Sequence, residues 1–178
     1  VIASIGQGFV LCTPIQLAVM TAAMANGGKV LKPQLIKRIE DWQGNLLMAP
    51  ETELARQINY SQAAWKEIRR GMVAVVNELR GTGQVARLDD VVVAGKTGTS
   101  QVVRRKSDEE EELGKGGDVP YRFRPHALFI AYAPADKPKI AVAVVVEHGQ
   151  HGGSAAGPVA KKIIAQYLGQ PLEQEQKE

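Results

Sequence analysis

The chain has 178 residues, 44% hydrophobic and 23% charged, enough for one domain with a hydrophobic core. Its formal net charge is only +3, and the basic residues are scattered, which argues against a nucleic-acid-binding stripe. A single cysteine excludes an intrachain disulfide, and no segment approaches the roughly 20 apolar residues that a membrane helix needs.

The sequence opens at Val1 inside what reads as structured protein, with no initiator Met and no signal peptide, as expected of a piece of a longer polypeptide. Cys12 lies in an apolar stretch and reads as a small core residue. Thr13, Pro14 and Gln16 have the spacing of a capping box with proline at the first helical position, and the apolar run that follows stops at Gly27-Gly28. Residues 30–39 alternate loosely, as in a short strand or hairpin, whereas 41–61 is polar, contains Gly44 and Pro50, and reads as loop. Ser61 can cap a second helix, in which Trp65, Ile68, Met72, Val75 and Val76 recur at helical spacing as one buried face. Gly81 and Gly83 then break the chain.

Three strand-like runs follow, over 91–103, 126–133 and 139–147, the last two joined by Pro134-Ala135-Asp136-Lys137-Pro138 as an antiparallel hairpin. A last helix opens near Gly157-Pro158, is expected to bury Val159, Ile163, Tyr167 and Leu168, and ends at Gly169; a polar tail covers 171–178. Helices, then strands without helical crossovers, then a helix predict an α+β fold with an antiparallel sheet flanked by helices.

The chemistry concentrates in Gly95-Lys96-Thr97-Gly98-Thr99-Ser100-Gln101. A phosphate-binding loop also ends in Gly-Lys-Thr, but it needs a glycine five residues earlier, and Asp90 stands there. No helix pattern follows Thr97 to complete such a site. The competing reading is a Lys-Thr-Gly strand motif of serine acyltransferases. Gly98 leaves room for a substrate backbone against the strand, Thr97 and Thr99 offer hydroxyls to a carboxylate, and Lys96 supplies positive charge. An extended peptide can pair along such a strand edge.

The flanks extend the match. Ser4-Ile5-Gly6-Gln7-Gly8, Thr13-Pro14-Ile15-Gln16-Leu17-Ala18, the Lys96 segment, His126-Ala127-Leu128-Phe129-Ile130-Ala131-Tyr132-Ala133-Pro134 and the region from 140 to 160 occur in order. Together they resemble the C-terminal part of the transpeptidase domain of monofunctional class B penicillin-binding proteins, over residues 1–170. Within that family the likeness is to the elongation-type enzyme, penicillin-binding protein 2. The resemblance implies a partial β-lactamase/transpeptidase-like fold without its N-terminal half. It implies a peptidoglycan D,D-transpeptidase at the periplasmic face of the bacterial inner membrane, reaching the membrane only through its N-terminal region, with stem peptides and β-lactams as ligands and no metal or other cofactor.

By the same resemblance Lys96, Thr97, Gly98 and Thr99 line the substrate cleft, with Lys96 and Thr99 catalytic. The Thr99 backbone N–H would be one of two oxyanion donors. The family's other two motifs, Ser-x-x-Lys and Ser-x-Asn, start at none of Ser4, Ser61, Ser100, Ser107 or Ser154. They are expected upstream of Val1, so the isolated chain is expected to be inactive and to need the upstream half of its domain. The strand over 139–147 would otherwise expose an apolar edge.

Three alternatives accompany this reading: a serine β-lactamase or D,D-carboxypeptidase of the same plan, a nucleotide-binding protein, and a noncatalytic interaction module. Plainer readings cover the remaining residues. His148 and His151 read as a turn, His126 as a packed or surface histidine, and Trp42 and Trp65 as core or rim. The basic run 104–106 and acidic run 108–112 read as a solvated loop.

Overall fold

A computed structural model describes residues 10–102 and 119–171. The segments 4–8, 104–106, 108–112 and 172–178, which enter the readings above, lie outside the described residues.

Helix α1 spans Pro14–Ala25. The Thr13 hydroxyl accepts from the Gln16 N–H at 3.3 Å, and the Gln16 side chain accepts from the Thr13 N–H at 2.8 Å. This reciprocal cap satisfies two N–H groups that the helix start leaves open. The helix ends where Gly27 and Gly28 turn to φ +77° and +95°. A Cβ on Gly28 would lie 2.4 Å from the Ile58 carbonyl oxygen, so conformation and space both require glycine there. Helix α2, Gln62–Asn77, starts at Ser61, whose hydroxyl accepts from the Ala64 N–H at 3.2 Å. Its predicted face is correct: Met72 and Val76 are buried, with Trp65, Ile68 and Val75 half-buried.

Residues 41–61 are not plain loop: β4 (Leu54–Gln57) pairs antiparallel with β1 (Lys29–Leu31), and β3 (Leu46–Met48) with β2 (Ile39–Glu40), β1 and β2 falling at the ends of the stretch read as a short strand or hairpin. Their signal is local hydrogen bonding rather than alternation. Asp41 accepts from the backbone N–H of both Gln43 and Asn45 at 2.8 Å and from the Asn45 amide, closing the β2–β3 turn. The Asn45 bonds hold the Asp41 carboxyl below the usual carboxylate range. The ribbon carries Trp42 into solvent at 92% exposure, which corrects its reading as core or rim. Cys12 is also exposed rather than core, since it precedes α1 and no described residue covers it.

The main sheet is antiparallel in the order β5 (Ala94–Ser100), β6 (His126–Ala133), β7 (Ile140–Val146). Residues 91–93 are not strand; the Val93 carbonyl instead accepts from the Asn77 amide of α2 at 2.8 Å. The sheet has two apolar faces. Ala127, Phe129, Ala131 and Ala133 of β6, with Val142 and Val144 of β7, pack against α3 (Gly157–Leu168). Ile130 and Tyr132, with Ala94 and Ala141, pack against Ala25, Ile68 and Met72 of α1 and α2. Each face is one parity of the strand.

The α3 face departs from expectation. Ala160, Ile164 and Ala165 are buried, while Val159, Ile163 and Tyr167 are 41%, 43% and 62% exposed and Leu168 is partly buried. Small residues let the helix axis approach the sheet closely, and the bulkier stripe one position away faces outward.

Tyr132 is fully buried, and its phenol oxygen has no hydrogen-bond partner among the described residues. Burial pushes its pKa above the usual value near 10.0, and the charge of nearby Arg69 only partly offsets this. The native state therefore favours the neutral phenol, and the stability it contributes is present below pH 10 and lost as pH rises further. The urea midpoint is expected to fall between about pH 9 and 11 less steeply in Tyr132→Phe than in the parent. Parallel curves would show that this phenol does not titrate on unfolding.

Candidate active site

The Lys-Thr-Gly segment lies on β5, the terminal strand of the described sheet. Register places Lys96 opposite Ile130, Thr97 opposite Phe129, Gly98 opposite Leu128 and Thr99 opposite Ala127. Directly opposite residues share a face. Lys96 and Gly98 thus lie on the side of α1 and α2, and Thr97 and Thr99 on the side of α3. Gly95 anchors the strand, because a Cβ there would lie 3.0 Å from the Phe129 ring.

Lys96 is exposed, and its ammonium donates to the Thr97 carbonyl at 2.9 Å, folding back along its own strand. No carboxylate among the described residues pairs with it. It is thus an exposed positive charge held beside the strand. Thr99 is also exposed, and Thr97 and Gly98 are partly covered. The strand runs on to Ser100 without a helix after Thr97, so the phosphate-loop alternative lacks its helix N-terminus. Three or more His, Cys, Asp or Glu side chains placed to hold a metal are not found among the described residues.

Glycines bring two further segments onto β5. A π-helical turn at Gly152–Ala156 sits so close that a Cβ on Gly152 would lie 2.2 Å from the Leu128 carbonyl oxygen and 2.5 Å from that of Gly98. Beside it, the Gly81-Thr82-Gly83 turn places the Thr82 hydroxyl 2.9 Å from that of Thr97. Sequence reading missed both. Gly81 and Gly83 register there only as breaks, although a polar residue between two glycines after a capped helix was a usable signal.

The histidines form a structural corner. His148, at φ +55°, donates its backbone N–H to His126 Nδ1 at 3.0 Å, and its own Nδ1 lies 3.0 Å from the Arg124 carbonyl. The turn reading of His148 holds, and His126 is the packed acceptor that fixes it.

An apolar groove of about 570 Å³ between α1, β1 and the start of α2 is lined by Ile15, Val19, Met20, Val30 and Trp65, and Lys96 to Thr99 take no part in it. Among the described residues no helix is long and apolar enough to cross a membrane.

Comparison with known proteins places the chain in a family. The family model of the penicillin-binding protein transpeptidase domain matches residues 1–165. The peptidoglycan D,D-transpeptidase MrdA of Haemophilus influenzae is 43% identical over 176 residues, covering 97% of this chain and 26% of that protein. PbpA of Mycobacterium tuberculosis is 32% identical, covering 94% of this chain and 32% of that protein. Among solved structures, Pseudomonas aeruginosa penicillin-binding protein 2 in complex with WCK 5153 superposes with a TM-score of 0.71 at 35% identity, over 99% of this chain and 34% of that one. The ceftriaxone acyl-enzyme of M. tuberculosis penicillin-binding protein A gives 0.73 at 30% identity, over 94% and 35%. The chain therefore spans about a quarter to a third of the length of these relatives. A strand motif of this kind, on a sheet of this order, within a match that runs through almost the whole chain, makes it a member of the penicillin-binding protein transpeptidase domain family, of the class B, penicillin-binding protein 2/MrdA type.

Proposed function

We propose that this chain forms one wall of the acyl-transfer site of a peptidoglycan D,D-transpeptidase that β-lactams acylate. The observation that carries the reading is the exposed ammonium of Lys96, with no carboxylate partner among the described residues, beside two threonines on the terminal strand of the sheet. In this role Thr97 and Thr99, on one face of the terminal strand, seat the carboxylate of a D-Ala-D-Ala stem peptide or of a β-lactam, and Lys96, on the other face, adds positive charge across the strand edge. The Thr99 backbone N–H is one oxyanion donor, and such a donor is worth about 10²–10³ in rate. Gly98 keeps the strand free of a side chain where the substrate backbone pairs with it.

The 178 residues contain no Ser-x-x-Lys, so the nucleophile comes from polypeptide outside them. A serine there attacks the penultimate D-Ala carbonyl, the terminal D-Ala leaves, and an amine of a second stem resolves the acyl-enzyme. M. tuberculosis penicillin-binding protein A, 30% identical to this chain, has been solved as an acyl-enzyme with ceftriaxone, which supports β-lactam binding at this site. The apolar groove beside α1 and the outer edge of β7 are surfaces for the rest of the domain to cover. The periplasmic face of the inner membrane is the compartment where this substrate lies.

Fluorescent penicillin tests the reading. This chain alone is expected to take no covalent label, whereas a protein that carries it with the preceding part of the domain is labelled on a serine outside the 178 residues. Label on a residue of this chain, or none in the longer protein, would overturn the assignment.

A further inference from the structure

The Gly81-Thr82-Gly83 turn is held on every side. The Gly81 N–H donates to the Glu78 carbonyl and the Gly83 N–H to the Val75 carbonyl, both at 2.9 Å. A Cβ on Gly81 would lie 2.2 Å from the Val75 carbonyl oxygen, and one on Gly83 2.9 Å from the Phe129 ring. Gly153 presses from above, where a Cβ would lie 2.5 Å from the Thr82 carbonyl oxygen. The side chain this backbone presents is nonetheless exposed. Packing gives no reason for a threonine at 82; its hydroxyl, 2.9 Å from that of Thr97, does.

We propose that Thr82 is a positioning residue that sets the direction of the Thr97 proton. A hydroxyl has one proton to donate. If Thr97 donated to Thr82, its oxygen lone pairs would face the incoming anion. If Thr82 donates to Thr97, the Thr97 proton is free for the carboxylate. A bound carboxylate favours the second arrangement, because each O–H then polarises the next toward the charge. The relay runs from Thr82 through Thr97 to the ligand, and it rests on the carboxylate seat proposed above.

The test uses the full-length transpeptidase that contains this chain, with benzylpenicillin and its methyl ester as probes. Thr82→Val keeps the shape and removes the proton. It is expected to weaken pre-acylation binding of benzylpenicillin about tenfold with the limiting acylation rate unchanged, and to leave the ester within about twofold. Thr82→Ser is expected to restore binding. Unchanged binding of the acid, an equal loss for acid and ester, or a loss that persists in Thr82→Ser would overturn the proposal. Thr97→Val separates the two layers. If it leaves the preference for acid over ester intact, the carboxylate seat itself is wrong. If it abolishes that preference and Thr82→Val does not, only the relay fails.

Discussion

Lys96→Ala in the full-length transpeptidase is expected to slow acylation by benzylpenicillin about 10²- to 10³-fold, the range seen on removing one preorganised electrostatic contact from a reacting centre. The side chain is exposed and makes its one described hydrogen bond to a neighbouring carbonyl, so the fold should change by less than about 0.5 kcal/mol. Loss of rate without loss of stability is the signature of a ligand-facing charge. Lys96→Arg should recover only part of the rate, because a planar fork replaces a compact ammonium. Stopped-flow acylation beside a urea titration reads both quantities. A variant that acylates at the parent rate would mean that the carboxylate is held elsewhere.

The largest expected loss of stability is at Phe129. The ring is fully buried at the centre of β6, opposite Thr97 on one strand and Val144 on the other. Its atoms lie about 3 Å from where Cβ atoms would stand on Gly83 and Gly95, so these two glycines are packed onto the ring. Phe129→Ala is expected to cost about 3–5 kcal/mol through lost burial and the cavity left behind. That is a large share of the ~5–15 kcal/mol typical of a folded domain. The damage should reach the site, because the Thr82 turn and the strand that carries Lys96 both rest on this ring. Urea unfolding gives the value directly, and a cost below about 1 kcal/mol would mean that the ring is not the keystone of this face.

Helix α3 offered two apolar stripes, and the more hydrophobic one, Val159-Ile163-Tyr167, was the natural choice for burial. The sheet took the other, because Ala160 and Ala165 permit close approach and Ile164 fills the space between. Hydrophobic periodicity locates a face but does not weigh size against distance. Trp42 reads as core or rim and Cys12 as core from their residue type and immediate neighbours, and neither has a described neighbour to cover it. The β2–β3 ribbon is hard to read for another reason: its turn is built by the Asp41 and Asn45 side chains rather than by alternating strands.

The amino-acid sequence by itself determined the helix boundaries, the antiparallel hairpin from 126 to 147, the α+β class and the Lys-Thr-Gly strand. Each of these is a local pattern: a capping box, a pair of glycines, a run of β-branched residues, a short motif with its flanks. Tertiary structure alone decided which face of α3 is buried, and that the Gly81–Gly83 and Gly152–Gly153 turns meet over Thr97 of β5. Those outcomes depend on distances between segments far apart in the chain. A glycine's role there is set by the backbone it must let pass, and nothing in its own neighbourhood of sequence records that.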